Sequence, residues 1–516
     1  MTRAERYALA VDLGSGALKV GVVSLDGTVV AAAQAPLVTQ RAPDGTATQD
    51  AARWWALVRE LSAQVLEAVP RDSVAAVACT GQWASTIPVD AAGDPVGPCL
   101  MWQDTRGAEH ARRVVGGPLA GYSPRALAMW IWRTAGVPSH DGGDPVSHIL
   151  HLERDEPRVA AAARWYLEPV DYLSMCFTGV AAASHASMTG AWLTDNRRLE
   201  RLAYDAALIR RVGIDGAKLP PLVATGALIG AVRPEVAAEL GLGSDVQVVT
   251  GSPDLHSAAL GTGAADVGEA HLTISTTSWI SLPVAKKKTD IMHSICTVPG
   301  LDPGSYLIVN NQEAAGLCLR WLRETLPGDR DYEELLALAA AASPGANGAL
   351  FTPWLAGERS PVDDRDARGG WHNLSVDTGA PELARSVLEG VALNSRWLLG
   401  AVERFVGHDI DKLRIFGGGA ASDLWCQIHA DVLDRTIERV ADPVNTNLRG
   451  ATLLAALALG AVRRDEIRAL VPVERTFTPD AATRAVYDRH FRELPRLYKA
   501  QRGMRGRLTP GATRAS

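Results

Sequence analysis

The chain has 516 residues, of which 47% are apolar and 21% are charged, and its formal net charge is −6 at pH 7. This length is too great for one ordinary hydrophobic core, so it predicts two sizeable domains. The composition is typical of a soluble globular protein. The mild acidic balance argues against a nucleic-acid surface, because such a surface needs an excess of basic residues.

Six scattered cysteines, none of them in a CxxC pair, indicate neither a disulfide framework nor a metal site. They favour a cytoplasmic location, where thiols stay reduced. A strand-like run at residues 7–11 leaves no room for a signal peptide. The most apolar helical stretch, residues 451–461, is far shorter than the ~20 residues of a membrane span and predicts a buried helix. We therefore expect no membrane partner.

Strand and helix patterns alternate along the chain, which indicates α/β architecture. The first segment has short acidic and glycine-containing turns between apolar runs, and a helix with an aspartate N-cap follows it. The predicted elements are strands at 7–11, 17–25 and 28–33, a helix that begins after Asp50, and a buried strand at 74–80 that ends at Gly81-Gln82.

A second start of the same kind occurs halfway along the chain. It predicts a strand at 246–250, a turn over 251–254, a helix of small residues over 255–264, and strands at 271–275 and 279–284. Two such starts predict a duplicated domain. The predicted units are domains over 1–250 and 251–500 and a flexible tail over 501–516.

The segment DLGSGALK contains an acidic residue at a strand end, a turn of small residues and a lysine. Such a turn can point backbone N–H groups into a concave nest that suits phosphate oxygens. Asp12 could hold Mg²⁺ directly or through water, and Lys19 supplies positive charge. An ordinary hairpin turn is the alternative interpretation of the same residues.

The segment GSPDLHSAALGTG places Asp254 after a strand and before a helix. The unpaired N–H groups of the helix N-terminus are expected to stabilise the ionised carboxylate. An ionised Asp254 could accept the proton of a sugar hydroxyl that attacks the γ-phosphate of ATP. A simple N-cap is the alternative.

Two further segments concern the second half. The sequence IFGGGAASDLW leads from a strand through three glycines into a helix, so a flat adenine or its ribose could approach the backbone there. Its glycine spacing is not that of a dinucleotide-binding fingerprint. The segment FTPWLAGERSP, residues 351–361, has no chemical interpretation on its own.

Two segments of the first half, TGQWASTIPVD and MWQDTRG, combine tryptophans with polar side chains. Trp83 and Trp102 could stack on the apolar face of a sugar, although most tryptophans belong to the core. The polar residues that could meet sugar hydroxyls are Gln82, Gln103, Asp104 and Arg106.

In their order along the chain, these segments resemble the FGGY carbohydrate kinases, a family that includes xylulokinase, ribulokinase, gluconokinase and glycerol kinase. The resemblance extends over residues 7–480. The segments that carry it are DLGSGALK, MWQDTRG, YLEPVDYLSMCFTG, GSPDLHSAALGTG, FTPWLAGERSP and GGGAASDLWCQIHADVL.

The resemblance implies a fold and a set of roles. The fold is α/β, with two ribonuclease-H-like domains of the actin/hexokinase type around an interdomain cleft. The substrates are ATP, with Mg²⁺, and a small sugar or polyol. Asp254 is implied as the general base and Asp12 as the residue that positions Mg-ATP, through water. The cofactor-binding residues are then Asp12, Gly14, Ser15, Gly16, Lys19, Thr276, Thr277, Ser278, Gly417, Gly418, Gly419 and Ala420. Family dimers make a homodimer an expectation as well.

The second phosphate motif departs from the family pattern. It usually reads GTS and a small residue, whereas residues 276–279 read TTSW here. Thr276 replaces a glycine where the backbone is expected to need a positive φ or a close approach to phosphate, and Trp279 adds bulk beside it. The sugar segment Gln82-Trp83-Ala84-Ser85 also differs from the family patterns, and a ketose such as a pentulose is the expected substrate.

Three hypotheses follow from these observations. The first is an ATP-dependent sugar kinase. The second is a non-catalytic or weakly active sugar- or nucleotide-binding regulator, in which the altered turn at 276–279 has lost activity. The third is an assembly or chaperone ATPase of the actin or Hsp70 type, whose signature would be sugar-independent ATP hydrolysis or polymer formation.

Overall fold

The structure is a computed structural model that describes residues 6–119 and 121–508. The strands of the first half are β1 (Tyr7–Leu13), β2 (Ala17–Ser24), β3 (Val29–Pro36), β4 (Gln40–Arg41), β5 (Ala47–Gln49), β6 (Val74–Gly81), β7 (Ile87–Val89), β8 (Cys99–Leu100), β9 (Gly116–Leu119), β10 (Trp165–Leu167), β11 (Ala183–Ser184), β12 (Leu222–Val223), β13 (Leu228–Ala231) and β14 (Gln247–Pro253). The helices of this half are α1 (Ala51–Val65), α2 (Ala108–Val115), α3 (Pro124–Thr134), α4 (Pro145–Asp155), α5 (Pro157–Ala162), α6 (Pro169–Thr178), α7 (His185–Met188), α8 (Ala206–Val212) and α9 (Pro234–Leu240).

The second half continues the alternation of strands and helices. Its strands are β15 (Ala270–Ile274), β16 (Ser278–Ser281), β17 (Pro283–Val284), β18 (Thr289–Asp290), β19 (Ile295–Pro299), β20 (Tyr306–Val309), β21 (Leu350–Thr352), β22 (Gly370–His372), β23 (Lys412–Phe416), β24 (Thr436–Val440) and β25 (Val473–Phe477). Its helices are α10 (Asp254–Gly261), α11 (Gly316–Thr325), α12 (Tyr332–Ala341), α13 (Ala380–Val406), α14 (Asp423–Leu433), α15 (Thr446–Ala458), α16 (Ile467–Leu470) and α17 (Arg484–Leu508).

Each half is built around a sheet of similar design. The first sheet has the strand order β13-β14-β6-β1-β2-β3, and the second has the order β16-β15-β23-β24-β25. In both, an antiparallel hairpin (β1–β2 or β15–β16) is extended by parallel neighbours (β6 and β14, or β23 and β24). The parallel strands are buried along nearly their whole length, which explains why their sequences are almost continuously apolar. The predicted α/β architecture with two related starts is therefore confirmed.

The second half departs from the predicted pattern after its first hairpin. The run at 279–284, expected as one strand, divides at Leu282. Its first part, β16, pairs with β15 in the main sheet. Its second part, β17, pairs with β20 in a separate sheet of order β17-β20-β19-β18. Among the described residues, the two main sheets therefore have the hairpin in common, but the second sheet has no strand that corresponds to β3.

Strand β14 is longer than the sequence pattern predicts. Residues 251–254 were expected to form a turn, but β14 continues through Pro253 and α10 begins at Asp254. The cause is the parallel pairing with β6, which includes Ser252 opposite Thr80 and Pro253 opposite Gly81. The predicted boundary near residue 250 thus falls inside a strand of the first sheet and stays a prediction.

Other expectations agree with the structure. Asp50 caps α1 through its side chain, which accepts hydrogen bonds from the backbone N–H groups of Ala52 and Arg53. The apolar stretch at 451–461 lies largely in α15, and Ala451–Ala456 is buried. Helix α17 includes residues 501–508 of the predicted tail, whereas 509–516 lie outside the described residues.

Helices α10 and α15 cross between the two sheets, and the crossing depends on two glycines. A Cβ atom on Gly450 would lie 1.8 Å from the carbonyl oxygen of Ser257, and one on Gly261 would lie 2.0 Å from that of Thr446. Only glycine permits such a contact between backbones. Alanines of β1, β6, α10 and α15 form much of the core layer around this crossing, and small side chains allow the close packing.

Candidate active site

The site is assembled at the carboxyl ends of three neighbouring strands. In the first sheet, Asp12 of β1 lies opposite Thr80 of β6, and Thr80 lies opposite Ser252 of β14. The chain leaves β14 at Pro253 and begins α10 with Asp254. Crevices at the carboxyl ends of parallel strands commonly bind ligands. The two aspartates singled out from the sequence are therefore brought to one edge of one sheet.

Asp254 is the first residue of α10 and is half-buried. Its Oδ1 accepts a hydrogen bond of 2.8 Å from the backbone N–H of Leu255. Burial, followed by the negative charge of Asp12, raises the pKa of Asp254 to about 7. The helix N-terminus was expected to favour the ionised form. The Leu255 N–H does favour it, but desolvation and Asp12 outweigh that single bond.

Asp12 is buried and faces Lys19 across the β1–β2 ladder. Burial raises the pKa of Asp12, whereas the charge of Lys19 and a hydrogen bond with the side chain of Asn447 lower it. Asn447 lies in the first turn of α15. Within the described residues, the buried atoms Thr80 Oγ1 and Asn447 Oδ1 have no hydrogen-bond partner.

These oxygen atoms suit a hard cation. Mg²⁺ is bound in proteins through one or two carboxylates, waters and substrate phosphates rather than through a complete protein cage. Asp12, with the unpaired oxygens of Thr80 and Asn447 beside it, has that chemistry. Among the residues that the structure describes, no group of three His, Cys, Asp or Glu side chains could hold an ion by itself. The residues present therefore fit a Mg²⁺ ion that is bound as a complex with the phosphates of the nucleotide.

The turn between β1 and β2 contains Gly14, Ser15 and Gly16 and is partly open to solvent. Gln49 holds this turn in place, because its Nε2 donates a 2.8 Å hydrogen bond to the carbonyl oxygen of Ser15. Lys19 Nζ donates a 2.6 Å hydrogen bond to the carbonyl oxygen of Val444, just before α15. The lysine thus joins the first sheet to the segment that leads into α15.

The second turn, Thr276–Ser278, links β15 and β16. Thr276 is exposed and does not have a positive φ. Its carbonyl oxygen accepts hydrogen bonds from the N–H groups of Ala315 and Leu317, at 3.0 and 3.2 Å. A positive φ is therefore not needed at this position, whereas a close approach of the backbone to phosphate stays a prediction. The added bulk of Trp279 is accommodated by edge-to-face packing on Phe416, with ring centroids 6.1 Å apart.

The glycine segment at 417–420 lies against this turn, because β15 and β23 are parallel neighbours. Gly417 has a φ of +98°, and a Cβ there would lie 2.6 Å from the carbonyl oxygen of Ile274. A Cβ on Gly418 would meet nothing within 4 Å, and this residue is exposed. Gly419 packs against Ile274 and Trp425, and Ala420 is buried. Gly418 is therefore the member of the segment that faces open space.

Gln82 and Trp83 follow β6 beside Asp254. Gln82 is 5% exposed, and neither its Oε1 nor its Nε2 has a hydrogen-bond partner within the described part of the chain. Trp83 Nε1 donates a 2.6 Å hydrogen bond to the carbonyl oxygen of Ser187, which fixes the indole ring. The next residue, Ala84, has a φ of 61°, which is a strained conformation for a side chain with a Cβ. A buried amide with no partner requires an explanation such as a ligand or a water.

The second predicted sugar segment is more engaged in protein contacts. Asp104 is fully buried and accepts hydrogen bonds from Arg106 Nε and Nη2, at 3.1 and 2.8 Å, and from the Ala47 N–H at 3.0 Å. Gln103 accepts a hydrogen bond from Arg41. The guanidinium of Arg359 lies 5.7 Å from the centroid of the Trp102 ring. These contacts link the segment to the rest of the protein, and direct contact with sugar stays a prediction.

Sequence analysis missed Glu168, a buried carboxyl group beside the Gln82–Ser85 loop. Its Oε2 accepts a 3.1 Å hydrogen bond from the Ser85 N–H, and its Oε1 has no partner among the residues described. Burial raises the pKa of Glu168 well above its usual range. The segment YLEPVDYLSMCFTG contained this residue, but only long-range packing shows that it supports the loop.

Two family models together match most of the chain. The family model described as "FGGY family of carbohydrate kinases, N-terminal domain" matches residues 7–261, and the corresponding C-terminal domain model matches residues 260–459. The chain belongs to the FGGY family of carbohydrate kinases. It is therefore a sugar kinase, and members of this family use ATP and generally a divalent metal.

Individual FGGY kinases resemble the chain over most of its length. A xylulose kinase from Staphylococcus epidermidis is 27% identical over 503 residues, which cover 96% of this chain and 97% of the relative. A gluconokinase from Bacillus subtilis is 27% identical over 471 residues, which cover 88% of each chain. The crystal structure of a xylulose kinase from Lactobacillus acidophilus has a TM-score of 0.86 at 22% identity, over 98% of this chain and 100% of that one.

These likenesses show the FGGY two-domain fold and sugar phosphorylation. The predicted family and fold class are thereby confirmed. All six cysteines are free thiols, and five of them are buried. Within residues 6–119 and 121–508, none of the helices is both long enough and apolar enough to cross a membrane.

Proposed function

We propose that this kinase transfers the γ-phosphoryl group of ATP to a hydroxyl of an uncharged ketose, most specifically a pentulose, with Asp254 as the general base. The observation that carries the proposal is the position of Asp254, half-buried where β14 meets α10, with its pKa raised to about 7. A base with a pKa near the working pH combines a useful ionised fraction with a strong affinity for the proton.

Phosphoryl transfer requires little covalent chemistry of the protein itself. Asp254 accepts the proton of the sugar hydroxyl as that oxygen forms its bond to the γ-phosphorus, and the bond from this phosphorus to the β–γ bridging oxygen breaks to release ADP. Phosphoryl transfer depends mainly on positioning and electrostatics. The Gly14–Gly16 turn, Lys19 and the Thr276–Ser278 turn are proposed to hold phosphates, and Gly418 to face the adenosine.

Asp12 would hold Mg²⁺ through water, beside the oxygens of Thr80 and Asn447, and the metal when bound offsets the negative charge of the phosphates. Asp12 has a second effect through its own charge, because it raises the pKa of Asp254. The two aspartates therefore have different roles at one edge of the sheet.

A neutral sugar is favoured by the charges around the site. Gln82 offers an unpaired amide that can both donate to and accept from hydroxyl groups. Two carboxyl groups lie near Gln82 and Trp83, that of Asp254 after β14 and that of Glu168 at the Ser85 N–H. Arg106 and Arg359, which contact the sugar-side segment, are each paired with a carboxylate. An aldonate would bring its negative charge next to Asp254, which must itself be ionised to act as the base. Relatives named xylulose kinase are consistent with a pentulose.

The regulator hypothesis rested on the turn at 276–279. Thr276 needs no positive φ, and Trp279 packs on Phe416. The motive for a lost activity is therefore weakened, and the kinase hypothesis is the one we retain. A cytoplasmic location and a homodimer stay predictions.

The decisive experiment measures ADP release from Mg-ATP with a panel of pentuloses, hexuloses, aldonates and polyols. We expect release that depends on a neutral ketose and is lost in the Asp254→Asn variant. Preference for an aldonate would overturn the charge argument. Silence with every sugar, combined with normal ATP binding, would instead favour the regulator.

A further inference from the structure

Two arginines of the second half share one buried carboxylate. Glu313 Oε1 accepts a 3.1 Å hydrogen bond from Arg359 Nε and a 2.8 Å hydrogen bond from Arg365 Nη1. The side chain of Glu313 is only 6% exposed, whereas those of the arginines are about one-third exposed. Glu313 thus fixes two guanidinium groups that also reach toward the other half of the molecule.

Both arginines contact the first half. Arg365 Nε lies 3.4 Å from Asp141 Oδ2, and the Arg359 guanidinium lies over the ring of Trp102. The loop that contains Asp141 packs on the backbone of Trp102, because a Cβ on Gly143 would lie 2.7 Å from the Trp102 carbonyl oxygen and 3.6 Å from Asp141 Oδ1. We call Trp102, Asp141, Glu313, Arg359 and Arg365 the bridging cluster.

On its other side, the bridging cluster is continuous with the second phosphate turn. Gln312, adjacent to Glu313 in the chain, exchanges backbone hydrogen bonds with Ser278, at 2.7 and 3.1 Å. The N–H groups of Ala315 and Leu317 donate to the carbonyl oxygen of Thr276. The segment 312–317 therefore contains Glu313 and also holds the turn at 276–278 in place.

Glu358, the glutamate of the GER sequence, supports the bridging cluster through hydrogen bonds. Its Oε1 accepts 3.0 Å hydrogen bonds from the backbone N–H groups of Glu313 and Arg359. Its Oε2 accepts a 2.6 Å hydrogen bond from Asn394 Nδ2. Glu358 is 1% exposed, so it serves as an internal support. Displacement of Arg359 is thus resisted at both its side chain and its backbone.

We propose that Glu313, Arg359 and Arg365 are positioning residues that couple docking of the first half, at Asp141 and Trp102, to the placement of the phosphate turn at 276–278. The physical reason is continuity. Arg365 contacts two carboxylates, those of Asp141 and Glu313. A movement of Asp141 away from Arg365 removes the first contact and leaves the guanidinium free to shift on Glu313. Glu313 belongs to the segment that holds the turn at 276–278. The proposal rests on the kinase activity of the family but not on the identity of the sugar.

The first test measures the Kd of Mg-ADP by calorimetry for the full chain without sugar. Asn at position 141 keeps an Oδ1 that can accept the Gly143 N–H, a 3.2 Å bond, but it loses the charge that faces Arg365. We expect Asp141→Asn and Arg365→Gln each to raise the Kd roughly fivefold, the lower range of ordinary coupling between sites. Asp141→Glu should restore most of the affinity. The control is Asp465→Asn, which breaks an exposed surface pair with Arg463 and should change nothing.

A double variant separates coupling from local damage. If the two residues act through one contact, the Asp141→Asn/Arg365→Gln double variant should bind Mg-ADP as weakly as either single variant and no weaker. Thermal unfolding of each variant reports whether the fold is retained. Additive losses, or a Kd within twofold of wild type in a folded Asp141→Asn variant, would overturn the proposal. Because the assay uses no sugar, a wrong substrate assignment cannot produce either result.

Discussion

Asp12 and Asp254 lie at the ends of β1 and β14, with only β6 between these strands, and the charge of Asp12 raises the pKa of Asp254. Burial is the larger cause of the shift. This edge of the sheet therefore contains two acids whose environments differ, a common way of assigning separate roles to two carboxyl groups.

This relationship predicts a pH dependence. Asp254 acts as a base only when it is ionised, so kcat/KM should fall about tenfold per pH unit below a pH of about 7. In Asp12→Asn the repulsion is gone, so the acid limb of the profile should move to lower pH even though Mg-ATP binding is weakened. The quantity to measure is the pH at the midpoint of the acid limb, and not the maximal value of kcat/KM. An unmoved midpoint would mean that Asp12 does not influence the base.

Replacement of the base itself gives the second prediction. Asp254→Asn keeps the size and the Leu255 contact but cannot accept the proton, so kcat should fall by about 10²- to 10⁴-fold. The Kd of Mg-ADP should stay within about twofold. Asp50→Asn is the matched control, because asparagine caps a helix about as well as aspartate and α1 should be unaffected. Near-normal turnover of Asp254→Asn would refute its role.

Gln82 provides a test of the sugar side. If its unpaired amide binds a hydroxyl, Gln82→Ala should raise the KM for the sugar and lower kcat/KM by roughly fivefold to 100-fold, equivalent to about 1–3 kcal/mol. The KM for ATP should not change. Gln34→Ala on the exposed side of β3 is the control. A variant that loses stability but keeps its sugar kinetics would assign Gln82 to the core.

The glycine segment allows two variants of opposite effect. Gly418→Ala has open space around the new methyl group, so the melting temperature should hold while the KM for ATP rises by about fivefold to tenfold through contact with the nucleotide. Gly417→Ala should instead destabilise the fold by about 1–3 kcal/mol, because of its φ of +98° and the nearby Ile274 carbonyl. Unchanged ATP kinetics in Gly418→Ala would place the adenosine elsewhere.

Thr276 tests whether the altered phosphate turn limits activity. Because its backbone does not need a positive φ, Thr276→Gly should raise kcat by less than about threefold and cost up to ~1 kcal/mol through added flexibility. Steady-state kinetics with saturating sugar measure the first effect, and thermal unfolding the second. A gain of tenfold or more would show that the threonine side chain obstructs the phosphates.

Local patterns predicted much of the fold and part of the site. Alternating strands and helices, the Asp50 cap and the position of Asp254 all depend on residues close together in the chain. Asp12 and Asp254 were singled out for the same reason, since each follows a predicted strand. What the sequence could not supply was their repulsion, because that depends on a strand order that places β6 between them.

The remaining features arise from contacts distant in sequence. Glu358 had no chemical interpretation on its own, yet it supports Glu313, 45 positions earlier in the chain. Glu168 supports the loop at Ser85 across 83 positions. The guanidinium of Arg359, from the second half, lies over the ring of Trp102, and stacking of this ring on a sugar stays a prediction. A single sequence contains no signal for such pairs.

The crossing of α10 and α15 has a mechanical consequence. Contact between the backbones at Gly261 and Gly450 leaves no space for a side chain between the two helices, so it fixes where they cross. Asp254 is seven residues from Gly261, which corresponds to a lever arm of about 10 Å. A rotation of only about 5° would then displace the base by about 1 Å, enough to change the rate by roughly 100-fold. A side chain larger than glycine at either position would force α10 and α15 apart and move Asp254 with α10.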